Sequence, residues 1–84
     1  MNVETLNDPI EVIAHFDGKR FHVLRFKWSN RAYKVLKTYH RWNDRQGQYK
    51  FFHCKVLADN SDVFEVEYNC ETLEWKLVSV ELAA

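Results

Sequence analysis

The chain has 84 residues, of which 46% are hydrophobic and 15% aromatic, and its formal net charge is zero. A chain of this length has no room for a second core, so we expect a single domain over residues 1–84. Its few glycines and single proline argue against a disordered segment or a linker. No stretch has the pattern of a signal peptide or the length of an apolar membrane span, so we expect a cytoplasmic protein with no membrane partner.

The zero net charge conceals a segregation of charge along the chain. Residues 19–55 contain eleven Lys and Arg and a single acid, Asp44, giving +10, whereas the flanks contain the other eleven acids and only Lys76, giving −10. Two interpretations stay open. The basic middle could bind a polyanion such as nucleic acid, or its strands could pair with the acidic flanking strands and tile a soluble sheet.

The first half of the chain predicts two strands joined by a hairpin. Residues 1–8 are polar, and we expect them to be frayed. Residues 10–16 and 20–28 are rich in β-branched and aromatic residues, and Asp17-Gly18 between them is a strong hairpin signal. Ser29-Asn30 predicts a second tight turn, because Asn tolerates a positive φ.

Residues 31–42 are ambiguous on periodicity alone. Apolar residues fall at helical spacing, and Ser29 or Asn30 could cap a helix at about 30–42. A strand is equally compatible if a β-bulge lies near Leu36. With that bulge, the side chains predicted to face inward are Tyr33, Val35, Leu36, Thr38, His40 and Trp42. The side chains predicted to face outward are Lys34, Lys37, Tyr39 and Arg41. The content of Tyr, Val, Thr and Trp favours the strand.

The second half of the chain predicts three further strands. Residues 43–48 read as a loop, and strands follow at about 49–58, around Phe64–Tyr68, and at about 74–82 with a phase slip near Leu77. The connections are too short for parallel crossovers. We therefore predict an all-β fold of about six antiparallel strands in a meander, forming a small barrel or a strongly bent sheet. The alternative is an α+β fold with the helix at about 30–42.

The aromatic residues recur with a distinctive spacing. They read Trp28…Tyr33-x-Val35…Arg41-Trp42, then Phe52…Val56, Phe64…Tyr68 and Trp75-x-Leu77-x-x-Val80. This pattern, over roughly residues 10–82, resembles a small bacterial domain family of unknown function. Its members look like Phe-x-Trp-x-Gly-x-x-Tyr-x-Val, then an Arg-Trp pair, then a terminal Trp-x-Leu-x-x-Val. This chain departs from the pattern at Asn30, which stands where Gly is expected and which also accepts a left-handed backbone.

The resemblance implies a setting for the chain rather than a chemistry. Domains of that family are also met attached to proteins related to Y-family translesion DNA polymerases, which implies a role in DNA transactions. It also favours a strand rather than a helix for residues 31–42. It supplies no catalytic residues.

The candidate nucleic-acid-binding residues come from the basic, aromatic-rich middle of the chain. They are Lys34, Lys37, Tyr39, Arg41, Arg45 and Lys50. Cations at such positions neutralise phosphates, and an exposed tyrosine can stack on a base. We predict a non-enzymatic accessory or interaction module that binds nucleic acid weakly and with little sequence preference. The alternative is a protein-interaction module, either a homodimer or a docking domain for a DNA-processing protein.

Other kinds of site receive little support from the sequence. His53 and Cys54 are adjacent and would point to opposite faces of a strand, and no pair of His or Cys has the usual spacing of zinc ligands. Cys54 and Cys70 are expected to be free thiols. We therefore predict no metal, no cofactor and no enzymatic activity. Trp42 and Trp75 are expected in the core.

Overall fold

Six antiparallel strands account for most of residues 3–83, the part of the chain that this computed structural model describes. They are β1 (Val3–Phe16), β2 (Phe21–Trp28), β3 (Arg31–Gln46), β4 (Tyr49–Ala58), β5 (Val63–Asn69) and β6 (Trp75–Glu81). Each strand pairs with the next, and β6 pairs with β1, so the sheet closes into a small barrel. The predicted all-β meander is confirmed, and the alternative helix at about 30–42 is wrong. Within the described residues, no helix is long and apolar enough to cross a membrane.

The turns follow the local chemistry of their residues. Ser29 and Asn30 both have positive φ, 52° and 66°, as the two central residues of a tight hairpin between twisted strands require. Gly18 has φ of 94°, a conformation open to glycine because it lacks a Cβ. These two predicted turns are confirmed.

Two predicted irregular segments are strands instead. Residues 3–8, within the segment 1–8 expected to fray, belong to β1 and pair with Leu77–Glu81 of β6. Met1 and Asn2 lie outside the described residues. The prediction of a loop at 43–48 is also wrong for residues 43–46, because β3 extends to Gln46. Only Gly47 and Gln48 form the turn. Pairing with a neighbouring strand, which the local sequence does not reveal, overrides the polar composition of both segments.

The strand β3 contains two bulges where the sequence predicted one. The register with β4 shifts between Val35 and Lys37, as expected, and shifts again between Thr38 and His40. Each extra residue reverses the alternation of side chains that follow it. The second shift, at Tyr39, therefore inverts every predicted orientation from His40 onward.

Several orientations predicted for β3 are corrected by these two bulges. Tyr33 is buried and Val35 packs on the core as predicted. Leu36, predicted to face inward, is exposed because it is the bulged residue. Trp42 lies opposite His53 on the outer face, and Arg41 lies opposite the buried Cys54 on the inner side.

The core fills the barrel with aromatic and β-branched side chains. The buried hydrophobic residues are Phe21, Val23, Phe26, Tyr33, Cys54, Val56, Ala58, Phe64, Val66, Leu77 and Val80. Phe64 is fully buried, and its ring centroid lies 5.1 Å from that of Phe26 and 5.3 Å from that of Tyr33. Trp75 packs against this core at the other end, 5.3 Å from Phe21. The core prediction is therefore right for Trp75 and wrong for Trp42.

The barrel wall is least complete between β2 and β3. The two strands pair only where Arg25–Trp28 meets Arg31–Lys34. Beyond that point β3 pairs with β4 alone, and residues 21–24 of β2 have no ladder partner on that side. We call this opening the seam. It places the inner side of the β3–β4 hairpin within reach of a ligand.

Candidate functional site

The inner side of the β3–β4 hairpin carries a cluster of cations beside the seam. Side chains directly opposite each other in an antiparallel pair share a face. Arg41 lies opposite Cys54, and Arg45 lies opposite Lys50. Alternation between these pairs adds Asn43 and its partner Phe52. We call this set the hairpin face: Arg41, Asn43, Arg45, Lys50 and Phe52.

The six predicted nucleic-acid-binding residues divide between two faces of β3. Arg41, Arg45 and Lys50 come together on the hairpin face. Lys34 and Lys37 lie on the outer face, opposite Arg25 and Leu57 respectively.

Tyr39, the sixth predicted residue, is 52% exposed at the second bulge, and the Lys37 ammonium lies 5.2 Å from its ring centroid. This geometry is that of a cation–π pair. Lys37 and Tyr39 therefore form a separate exposed pair rather than part of the hairpin face.

A cleft of about 510 Å³ opens at the seam, between the β1–β2 turn and β3. Its lining residues are Phe16, Gly18, Lys19, Arg20, Phe21, Arg41, Trp42, Asn43, Phe52 and His53. They include three permanent cations and four Phe or Trp rings, and no carboxylate. The cleft adjoins the hairpin face, since Arg41, Asn43 and Phe52 belong to both.

A chain of hydrogen bonds crosses the seam and holds Arg41 in place. Arg41 donates through Nη2 to Nδ1 of His22 at 2.9 Å, and because a guanidinium can only donate, this imidazole nitrogen must be unprotonated. The His22 proton is then on Nε2, which donates to Oδ2 of Asp17 at 3.1 Å. The acceptor is a neutral ring, so the Arg41 charge is oriented without being neutralised.

Asp17 is committed to its own turn. Its Oδ1 accepts the backbone N–H of Arg20 at 2.9 Å and that of Lys19 at 3.0 Å. These two bonds, followed by the one from His22, hold the pKa of the Asp17 carboxyl well below its usual range. The Asp17 carboxylate is therefore ionised throughout the pH range above the ordinary pKa of an aspartate. The folding stability that its hydrogen bonds contribute is lost only when strong acid protonates the carboxylate. In this way Asp17 fixes the backbone that presents Lys19 and Arg20 to the cleft.

The cations of this region lack close counter-ions. Among residues 3–83, the ion pairs within 4.0 Å all involve a histidine, and none joins a Lys or Arg to a carboxylate. Arg45 lies directly opposite Lys50, and Arg25 directly opposite Lys34. Like charges in directly opposed positions destabilise a sheet. The basic and acidic strands nevertheless meet on the outer face, where Lys27 lies directly opposite Glu11 and Lys55 directly opposite Glu65. The alternative interpretation of the charge pattern therefore applies to these outer-face positions, whereas Arg41 and Arg45 of the hairpin face have no acid opposite them.

The acidic residues of β5 lie on the outer face instead. Glu65 and Glu67 lie opposite Lys55 and His53. The Oε2 atom of Glu65 is 3.4 Å from His53 Nδ1, and that of Glu67 is 3.8 Å from Nε2. The Nδ1 atom is buried and its geometry is not that of a hydrogen bond.

His53 and its neighbours fix the orientation of Trp42 at the edge of the cleft. The His53 ring is nearly parallel to Trp42, with an interplanar angle of 3° and centroids 5.1 Å apart. His40 stacks on Trp42 at 5.1 Å as well. Trp42 is therefore a rigid wall of the cleft rather than a core residue.

The two cysteines are free thiols, and Cys54 is shielded from chemistry. Burial in the core raises the pKa of the Cys54 thiol to about 12, so its nucleophilic thiolate form is scarce near neutral pH. His53 is adjacent in sequence but lies on the opposite face of β4, since the partner of Cys54 is buried Val66 and that of His53 is Glu67. The two residues cannot form a nucleophile–base pair. Within residues 3–83, no three His, Cys, Asp or Glu side chains are grouped to hold a metal.

We expect Cys70 alone to react with a thiol reagent such as dithionitrobenzoate in the folded protein at pH 8. Cys70 is half-buried, whereas Cys54 is 1% exposed and its raised pKa keeps it protonated. Cys54 should react only when denaturant unfolds the barrel. The Cys70→Ser variant isolates the Cys54 signal, and a reaction of that variant as fast in buffer as in denaturant would contradict the structure.

Sequence reasoning missed half of the cleft. Lys19 and Arg20 were counted in the basic middle but not assigned to a site, and Phe16 and Phe52 were treated as strand residues. One signal was available, since the Lys-Arg pair after Asp17-Gly18 is flanked by two phenylalanines. Basic residues interleaved with aromatics are typical of single-strand binding surfaces.

Comparisons of the chain with family models, with curated proteins and with solved structures found no match. The resemblance to the small bacterial domain family therefore stays a prediction. Function is inferred from the geometry of the site itself.

Proposed function

We propose that this domain is a non-enzymatic accessory module that binds nucleic acid weakly, with little sequence preference, through the hairpin face and the adjoining cleft. The observation that carries the proposal is one surface with five cations and no carboxylate among the residues lining its cleft. The cations are Lys19, Arg20, Arg41, Arg45 and Lys50. Phosphates neutralised by such a surface release counter-ions, which drives binding without reference to base identity.

The opposition of Arg45 and Lys50 supports a polyanionic partner. Their placement costs stability in the free domain, because like charges are directly opposed and no carboxylate of the described residues lies within 4.0 Å of either cation. A phosphate between the two strands would remove that cost. The repulsion in the free domain is thus converted into affinity for an anion.

The aromatic residues beside the cations favour single strands over duplexes. Phe16 is 60% exposed, and the Lys50 ammonium lies 5.1 Å from the centroid of the Phe52 ring. Unpaired bases can stack on such rings, with each contact contributing about 1–3 kcal/mol, whereas paired bases cannot reach them. The domain should therefore bind a single-stranded oligonucleotide more tightly than a duplex of equal length.

Fluorescence anisotropy with labelled single- and double-stranded oligonucleotides tests this proposal. If the five cations each neutralise one phosphate, the logarithm of the single-strand affinity should fall with the logarithm of salt concentration at a slope of about −3.5. A control titration with a neutral peptide nucleic acid should show no binding. Absence of binding at ~50 mM salt and micromolar protein would overturn the proposal.

The second candidate function is a protein-interaction module. The seam favours it, because residues 21–24 of β2 and the long β3 strand leave ladder positions unpaired, and free strand edges can accept a partner strand. Self-association or docking to a DNA-processing protein would use these edges. A salt-sensitive dimer in sedimentation velocity that oligonucleotides do not affect would favour this function over nucleic-acid binding.

A further inference from the structure

We infer that the cleft at the seam is a site for one unpaired nucleotide, with its base against the Phe16 ring and its phosphate on Arg41 and the neighbouring Lys19-Arg20 pair. This inference rests on the proposed function and deepens it. It assigns to the cleft the recognition of a nucleotide unit, whereas Arg45 and Lys50, the hairpin-face cations outside the cleft, contact only the backbone that follows.

The size and lining of the cleft suit a mononucleotide. Its volume of about 510 Å³ lies within the range of small-molecule sites, which is ~300–1,000 Å³. Such sites are mainly apolar with a few placed polar groups. Here Phe21 and Phe52 form the floor with ring centroids 5.5 Å apart, and the Asn43 side chain supplies an amide.

Arg41 is preorganised to receive an anion. Its guanidinium has five N–H donors, and its bond to His22 Nδ1 uses one of them. His22 is itself held by Asp17, so the guanidinium is fixed before a ligand arrives. An oriented, unneutralised arginine that lines a cleft is suited to bidentate contact with a phosphate.

Phe16 is the aromatic residue of the cleft whose ring is exposed and not covered by another stacked ring. It is 60% exposed at the end of β1, and its inner side rests on Phe21 with ring centroids 5.7 Å apart. Trp42, by contrast, is already stacked with His53 and His40. A flat aromatic ligand entering the cleft would cover the exposed phenylalanine. A base attached to a phosphate satisfies the ring and the cations together, and neither an inorganic anion nor an uncharged nucleoside does both.

The test is NMR titration of the full chain with deoxyadenosine monophosphate, with deoxyadenosine and inorganic phosphate titrated separately. We expect amide shifts centred on residues 16–22 and 41–43, with the monophosphate binding at least about tenfold more tightly than either fragment. Phe16→Ala should weaken monophosphate binding about 5- to 150-fold. Ile13→Ala is the matched control, because Ile13 is also 60% exposed on β1 and does not line the cleft. It should leave binding unchanged.

Equal affinity of wild type, Phe16→Ala and Ile13→Ala for the monophosphate would overturn the inference, as would shifts confined to residues outside the cleft. Oligonucleotide anisotropy measured on the same samples distinguishes a failure of the nucleotide site from a failure of the proposed function. Salt-dependent oligonucleotide binding that Phe16→Ala does not alter, without cleft shifts, overturns the nucleotide site and leaves the proposed function standing. Cleft shifts with the monophosphate in the absence of oligonucleotide binding support the site and overturn the proposed function.

Discussion

Replacing Arg45 and Lys50 together by Gln should weaken single-stranded oligonucleotide binding roughly 50-fold at ~50 mM salt, because two phosphate contacts are lost. The slope of log affinity against log salt should become shallower by about 1.4. The same variant should be as stable as the wild type or more stable by about 0.2–1 kcal/mol, since the two residues repel each other across the hairpin. Anisotropy and urea unfolding on one sample measure both effects.

The chain offers a matched control for this experiment. Arg25 and Lys34 form another directly opposed pair of cations, and they lie on the outer face. Their joint replacement by Gln changes the net charge equally. It should reduce affinity only through long-range attraction, which ~50 mM salt screens beyond about 14 Å. If the two double variants lose affinity equally, binding depends on net charge and not on the hairpin face.

Phe64→Ala should destabilise the barrel by about 3–5 kcal/mol, a large part of the about 5–10 kcal/mol expected for a chain of this size. Phe64 is fully buried, and its ring centroid lies 5.1 Å from Phe26, 5.3 Å from Tyr33 and 6.0 Å from Trp28. Removing its ring leaves a cavity beside the three rings that it contacts. Urea unfolding followed by tryptophan fluorescence measures the loss.

Phe16→Ala is the control for Phe64→Ala, because the same side-chain atoms are removed from a position that is 60% exposed. It should cost less than about 1 kcal/mol. If Phe64→Ala does not fold, Phe64→Leu keeps the measurement possible at an expected cost of about 1–2 kcal/mol. A loss below about 1 kcal/mol for Phe64→Ala would place this residue outside the core.

The sheet decides which of the charged side chains lie on the same face. In sequence, the basic middle and the acidic flanks are consistent with mutual pairing and also with a polyanion partner. In the barrel, Glu65 and Glu67 flank His53 on the outer face, whereas Arg41, Arg45 and Lys50 lie on the inner side of the hairpin. A barrel wall between the two groups is what keeps the acids from covering the hairpin face.

The sequence by itself determined the number of strands, their approximate positions and most of the turns, although β1 and β3 are longer than predicted. Asp17-Gly18 and Ser29-Asn30 form turns because their residues tolerate positive φ, and the runs between them are β-branched and aromatic. These are local properties of the backbone and side chains. Six strands with short connections then leave an antiparallel meander as the natural topology.

The tertiary structure alone decided which face each functional residue occupies. The second bulge, at Tyr39, moves Arg41 inward and Trp42 outward, and no local signal in residues 38–40 distinguishes it from regular strand. The cleft arises because β2 and β3 separate beyond Arg25 and Lys34 as the sheet closes into a ring. Both features depend on how consecutive strands pair along their whole length, β3 with β4 and β2 with β3, which the composition of a single strand does not reveal. The sequence therefore predicted Arg41, Arg45 and Lys50 as site residues, whereas the other half of the cleft and the assembly of the site depended on the tertiary structure.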